Sequence, residues 1–124
     1  MIFPDKFDRG ATYYLSGPMT GIPEYNRPTF AHSAFLLRGA GLSIESPHEL
    51  AVPDNLVGEE LWQHMMVLCK QQMQRCRGTI FLPGWVHSRG SNQEFQWGKT
   101  MEHLFYFMAG VHIIDMNGDW HGRV

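Results

Sequence analysis

The chain has 124 residues, an apolar fraction of 44% and a formal net charge of −2. That length suits one domain spanning residues 1–124, with chain enough to bury one core, and a charge so near neutrality argues against a nucleic-acid surface or a polybasic membrane patch. No apolar run approaches the ~20 residues of a membrane span, and residues 1–6 lack the basic and then apolar order of a signal peptide, so a cytosolic protein is expected.

The first ten residues carry no periodicity and read as an irregular arm. Thr12-Tyr13-Tyr14-Leu15 is β-rich and apolar and stops at Ser16-Gly17-Pro18, the pattern of a short buried strand. After a loop with Gly21, Pro23 and Asn26, the apolar residues Phe30, Ala34, Leu37 and Ala40 recur at helical spacing, and Gly39 and Gly41 close that helix. Leu42-Ser43-Ile44-Glu45 reads as a second strand, followed by a loop over 47–58. Glu59 and Glu60 suit the start of the next helix. Its apolar stripe is Trp62, Met65, Met66, Cys69, Met73 and Cys76, with the methionines as core filling. Gly78-Thr79-Ile80-Phe81-Leu82 is a third strand, ended by Pro83-Gly84. A helix over 92–109, a strand over 111–114 and a polar tail over 117–124 complete the pattern.

Strands alternating with helices predict an α/β domain, its core about 12–115, with a parallel sheet covered on both faces. In open sheets of this kind ligands bind beyond the carboxyl ends of the strands. That rule selects residues 16–26, 46–49 and 83–94, which hold most of the small polar and glycine residues. Cys69 and Cys76, read on one helix, stand roughly 10 Å apart, too far for a disulfide, and behave as small hydrophobes. No histidine or cysteine spacing predicts a metal site.

Ser88-Arg89-Gly90-Ser91-Asn92-Gln93-Glu94 carries the most chemistry. It sets a glycine, two serine hydroxyls and a carboxylate at the mouth of a helix just after a buried strand. Free backbone N–H groups there favour a phosphate and also an ionised Glu94, as a carboxylate nucleophile requires. The competing reading is structural: Ser91-x-x-Glu94 is also the signature of a capping box. Trp85, on the glycine loop, is placed either to stack on a base or to pack in the core.

Tyr14-Leu15-Ser16-Gly17-Pro18-Met19-Thr20-Gly21, Asn26, Leu82-Pro83-Gly84-Trp85 and Ser88-x-Gly90-x-x-x-Glu94 follow one another in that order. Together they resemble the nucleoside 2-deoxyribosyltransferase superfamily, above all its small bacterial and phage branch. The resemblance implies a flavodoxin-like, Rossmann-like three-layer sandwich with a mainly parallel sheet of four to five strands. It also implies chemistry at an N-glycosidic bond without a cofactor. Glu94 occupies the nucleophile position, so its carboxylate would form a glycosyl ester that water or a second base resolves, as in a retaining glycosidase. Tyr14, Ser16, Gly17, Pro18, Met19, Asn26, Pro83, Gly84, Trp85, Ser88, Gly90 and Ser91 match the substrate-binding segments. Related nucleoside 5′-monophosphate N-glycosidases carry serine at the position of Ser88, which points to a (deoxy)nucleoside 5′-monophosphate or nucleoside.

The chain departs from the superfamily on the helix before the third strand. Cys69 stands where an aspartate usually helps the departing base, and Arg77 replaces a second acid. A neutral thiol on an apolar stripe is a poor substitute, and His48, His64 and His87 are candidate replacement acids. The alternative is therefore a catalytically weak or inactive protein that sequesters or senses a nucleotide. A helix over 92–109 would be apolar around much of its circumference, with Trp97, Leu104 and Phe107 off its main stripe. That reading, and the superfamily's oligomers, predict a homodimer or larger assembly packed through it.

Overall fold

The computed structural model describes residues 1–117; residues 118–124, the bulk of the expected tail, lie outside the described residues. Along the chain run β1 (Thr12–Ser16), α1 (Arg27–Gly39), β2 (Ser43–Glu45), α2 (Gly58–Gln74), β3 (Gly78–Phe81), α3 (Arg89–Thr100), β4 (Leu104–Ala109) and β5 (His112–Asp115). The strands form one sheet in the order β2-β1-β3-β4-β5, in which only β5 runs antiparallel to its neighbour. The expected α/β sandwich with a mainly parallel sheet is therefore found, at the upper end of the strand count. Ile2 adds a single bridge to His112, which ties the N-terminal arm to the β5 edge.

Side-chain alternation along the strands divides the interior into two layers. Tyr13, Leu15, Ile80, Tyr106 and Met108 pack with Phe30, Ala34 and Leu37 of α1, and Phe3 and Phe7 of the arm extend that layer. On the opposite face Tyr14 packs with Cys69 and Met73 of α2, while Phe81 and Phe105 pack with Trp85 and Phe95. β1 and β3 are central and buried along nearly their whole length, which suits their apolar, β-prone sequences. α1 stops at Gly41, whose φ of 95° is open only to glycine without strain. Leu42 N–H then donates to Leu37 O and Gly41 N–H to Arg38 O, a Schellman closure sealed by two buried leucines.

The final helix differs from the expectation. It covers Arg89–Thr100, not 92–109, and residues 104–109 form β4, parallel to β3. Phe105 and Tyr106 are interior strand residues and Phe107 lies on β4, so the expected helix over 92–109, apolar around much of its circumference, is not formed. The surface on which the oligomer was argued is removed with it. Cys76 likewise lies just beyond α2, in the turn to β3. Among the described residues no helix is long and apolar enough to cross a membrane.

Gly78 opens β3 where the sheet is tightest. A Cβ there would sit 2.5 Å from Leu104 O and 3.1 Å from the Tyr13 ring. Backbone cannot yield as a flexible side chain can, so Gly78→Ala should lower stability by about 2 kcal/mol or more. Chemical denaturation checks this: a smaller midpoint with unchanged slope is expected, and an unchanged midpoint would contradict the packing described.

Candidate active site

β1 runs one way to β2 through α1, and β3 lies on its other side, so the sheet's topological switch point falls between β1 and β3. Tyr14 and Ser16 stand two residues apart on β1 and share one face. Glu94, in the second turn of α3, is buried against that face. Tyr14 Oη donates to Glu94 Oε2 at 2.5 Å and Ser16 Oγ donates to Oε1 at 2.7 Å. Ser16 Oγ also lies 2.9 Å from Ser91 Oγ. A hydroxyl carries one proton, so with Ser16 donating to Glu94, Ser91 is left to donate to Ser16. The Cys69 thiol on α2 lies close enough to the carboxylate to act on its charge.

Burial dominates the electrostatics. It pushes the Glu94 carboxyl up to about 7, against the hydrogen bonds of Tyr14 and Ser16 and the nearby Cys69 thiol, which hold it down. The expectation that the helix N-terminus would keep Glu94 ionised is outweighed: Glu94 is beyond the first turn, where that field fades. Burial and the facing carboxylate push the Tyr14 phenol well above its usual range, so Tyr14 remains a donor. Burial likewise raises the Cys69 thiol, which stays protonated.

Nor is Glu94 part of a capping box. Ser88 is the N-cap of α3, its Oγ accepting from Ser91 N–H at 3.2 Å, and Glu94 turns inward to β1. The structural reading of Ser91-x-x-Glu94 is thereby set aside on geometry.

Glu94 lies in the wall of a cavity of about 210 Å³. Tyr14, Gly17, Met19, Ser88, Gly90 and Ser91 line the same cavity. The other sequence candidates do not line it. Ser16 sits behind Glu94, and Pro18 receives the Asn26 Nδ2 donor at 2.9 Å, so these two residues brace the loop. Pro83 and Gly84 are exposed, and Trp85 is buried against Phe81 with ring centroids 4.2 Å apart. Packing, not base stacking, is the role its surroundings allow. His48, His64 and His87 also stay off the cavity wall; His48 faces Phe30 and has Nδ1 2.6 Å from Ser46 Oγ. Among the described residues no His, Cys, Asp and Glu cluster could hold a metal ion.

Residues 11–107 match a family described as a domain of unknown function, DUF4406. The chain belongs to that family. No curated protein sequence matches it. In three dimensions this DUF4406 chain is similar to the 2-deoxyribosyltransferase of the psychrotolerant bacterium Bacillus psychrosaccharolyticus. The TM-score is 0.61 at 16% identity, over 78% of this chain and 71% of that one. The resemblance read from the motifs is thus borne out at the level of the fold.

Two parts of the cavity were not read from the sequence. One wall is α2, through Leu61, Trp62, Met65 and Met66. Their spacing is that of any core stripe, so nothing marks them as cavity lining. The rim carries Tyr25, within the 16–26 segment selected by the strand-end rule, and Arg27 just beyond it, placed there by an unusual turn: Glu24, Tyr25 and Asn26 have φ of 57°, 54° and 60°. Three successive non-glycine residues in the left-handed region cost about 1 kcal/mol or more each. Only Asn26, tolerant of that conformation, hinted at it.

Proposed function

We propose that this chain cleaves or transfers at the N-glycosidic bond of a nucleoside or its 5′-monophosphate, with Glu94 as the nucleophile. One observation carries the reading: among the described residues the cavity is lined by a single carboxylate, buried and oriented on both oxygens by Tyr14 and Ser16. Ionised Glu94 attacks C1′ while the bond from C1′ to the base breaks, its electron pair leaving with the base. The positive charge developing on the sugar is stabilised by the adjacent carboxylate. Water then cleaves the glycosyl ester, or a second base accepts the sugar. The apolar wall of α2, with Trp62 and Met65, suits the faces of a base. The 2-deoxyribosyltransferase fold supports the same chemistry by analogy.

A second reading, nucleotide binding without turnover, is favoured by one feature. Cys69 lies close to Glu94, where the resemblance expects an aspartate, and its buried, protonated thiol is a weak acid for a departing base. Incubation with 2′-deoxynucleosides, ribonucleosides and their 5′-monophosphates, followed by chromatography, separates the readings. Free base from any of them is expected. Saturable binding with no base released would assign the chain to the second reading.

A further inference from the structure

We infer that Arg27 is the specificity-determining residue of this cavity, selecting a ligand with an anionic substituent such as a 5′-phosphate. The inference rests on the nucleoside reading above and decides between its two substrate classes. Among the described residues that line the cavity, Arg27 is the one cation and Glu94 the one carboxylate. The two belong to different elements, α1 and α3. The cavity wall is otherwise largely apolar or neutral, so these two groups set its charge pattern.

Among the described residues no side chain or backbone group partners the Arg27 guanidinium. The ion pairs of the described residues join Arg38 to Glu49, Arg75 to Glu45 and Arg89 to Glu59. Glu49 lies near enough to His48 to act on it, as Arg27 does, but both its oxygens are held by Arg38 at 2.7 and 3.0 Å. Glu24, the carboxylate closest to Arg27 in sequence, forms no ion pair among the described residues. Arg9, Lys70 and Lys99 all rest over aromatic rings instead. Among the described residues Arg27 is thus a cation at the cavity with no ion-pair partner, left for something else.

The backbone before it points the same way. The left-handed residues Glu24, Tyr25 and Asn26 lead directly into Arg27, the first residue of α1. Asn26 ties this turn to Pro18 O, in the loop that brings Gly17 and Met19 to the cavity. A strained turn persists where the surrounding structure holds it, and such turns cluster at ligand clamps. Here it fixes Tyr25 and Arg27 at the rim. A guanidinium offers a planar fork of donors that fits phosphate oxygens and stays charged at every working pH.

The test compares the four 2′-deoxynucleosides with their 5′-monophosphates, by calorimetry on the wild-type chain and on Arg27→Gln and Arg27→Lys. Wild type is expected to prefer the monophosphates. Arg27→Gln should reduce that preference roughly 10- to 100-fold. Arg27→Lys should retain part of it, and the wild-type preference should shrink as salt rises. Arg27 is exposed, so the variants should melt as wild type does, which thermal unfolding verifies. Equal affinity of wild type for nucleosides and monophosphates, or a preference surviving in Arg27→Gln, overturns the inference while leaving the nucleoside reading intact. Failure of wild type to bind any of these compounds overturns both.

Discussion

Glu94→Gln should abolish base release and at the same time make the protein more stable at alkaline pH. The first effect follows from chemistry, since an amide cannot form the glycosyl ester. The second follows from burial. The Glu94 carboxyl titrates at about 7 in the folded chain against 4.5 in its ordinary state. Between those values the folded protein holds a proton that the unfolded chain has lost. Stability from this group is therefore complete below pH 4.5 and is lost as pH rises through 7, a difference of about 3 kcal/mol. Glutamine is neutral throughout, so the variant's advantage should be small at pH 5 and grow towards that size at pH 8. Taking the difference between the two proteins isolates Glu94 from His48 and His103, whose imidazoles burial holds low and whose effect on stability has the opposite sign. Activity should follow the other limb of the same titration and rise through pH 7, where the nucleophile ionises. An advantage independent of pH would show that the carboxyl is not held near neutrality. Turnover by the variant at the parent's rate would exclude the covalent route.

That coupling explains why so much of the site was legible in the sequence. Tyr14 and Ser16 alternate on a strand whose apolar run and Ser-Gly-Pro stop are unambiguous, and Glu94 follows a glycine loop into a helix. Local pattern fixes both elements, and the strand-order rule brings them together. The end of α3 was not legible because the usual stop is missing. Glu102, not glycine, takes the left-handed φ of 59° after the helix, and aromatic residues continue past it at helical spacing. Gly98, near the end of α3, is there for packing: a Cβ would meet the Phe105 ring at 2.7 Å. The cavity wall was hidden for a different reason. Trp62, Met65 and Met66 have the periodicity of core residues, and only the tertiary structure shows that a cavity lies in front of them. Arg27 depends on a run of left-handed residues that composition does not announce.

The departure at Cys69 supplies the second large effect. Cys69→Asp would place a carboxylate, as the resemblance expects at this position, where the side chain is 5% exposed and close to Glu94 and Tyr14. Two buried carboxyls close together cannot both ionise freely, so the pair should share one proton near neutral pH. One member then serves as acid while the other attacks, the division of labour that the thiol cannot provide. With a positioned acid contributing about 10²-fold or more, base release should rise well above the parent's under mildly acid conditions. The same change should make the fold strongly pH-sensitive. At pH 8 the last proton is pulled away and an uncompensated buried charge destabilises by about 3 to 5 kcal/mol, whereas at pH 5.5 the protein should remain folded. Thermal unfolding at both pH values, alongside chromatography for free base, measures the two effects together. Cys69→Asn, polar but unable to give up a proton, should leave release at the parent's level. If Cys69→Asp is folded at pH 5.5, binds its nucleotide and releases no more base than Cys69→Asn, the missing acid is not what limits the site. Should the parent and both variants bind nucleotide and release no base at all, the cavity belongs to a protein that holds nucleotides without cleaving them.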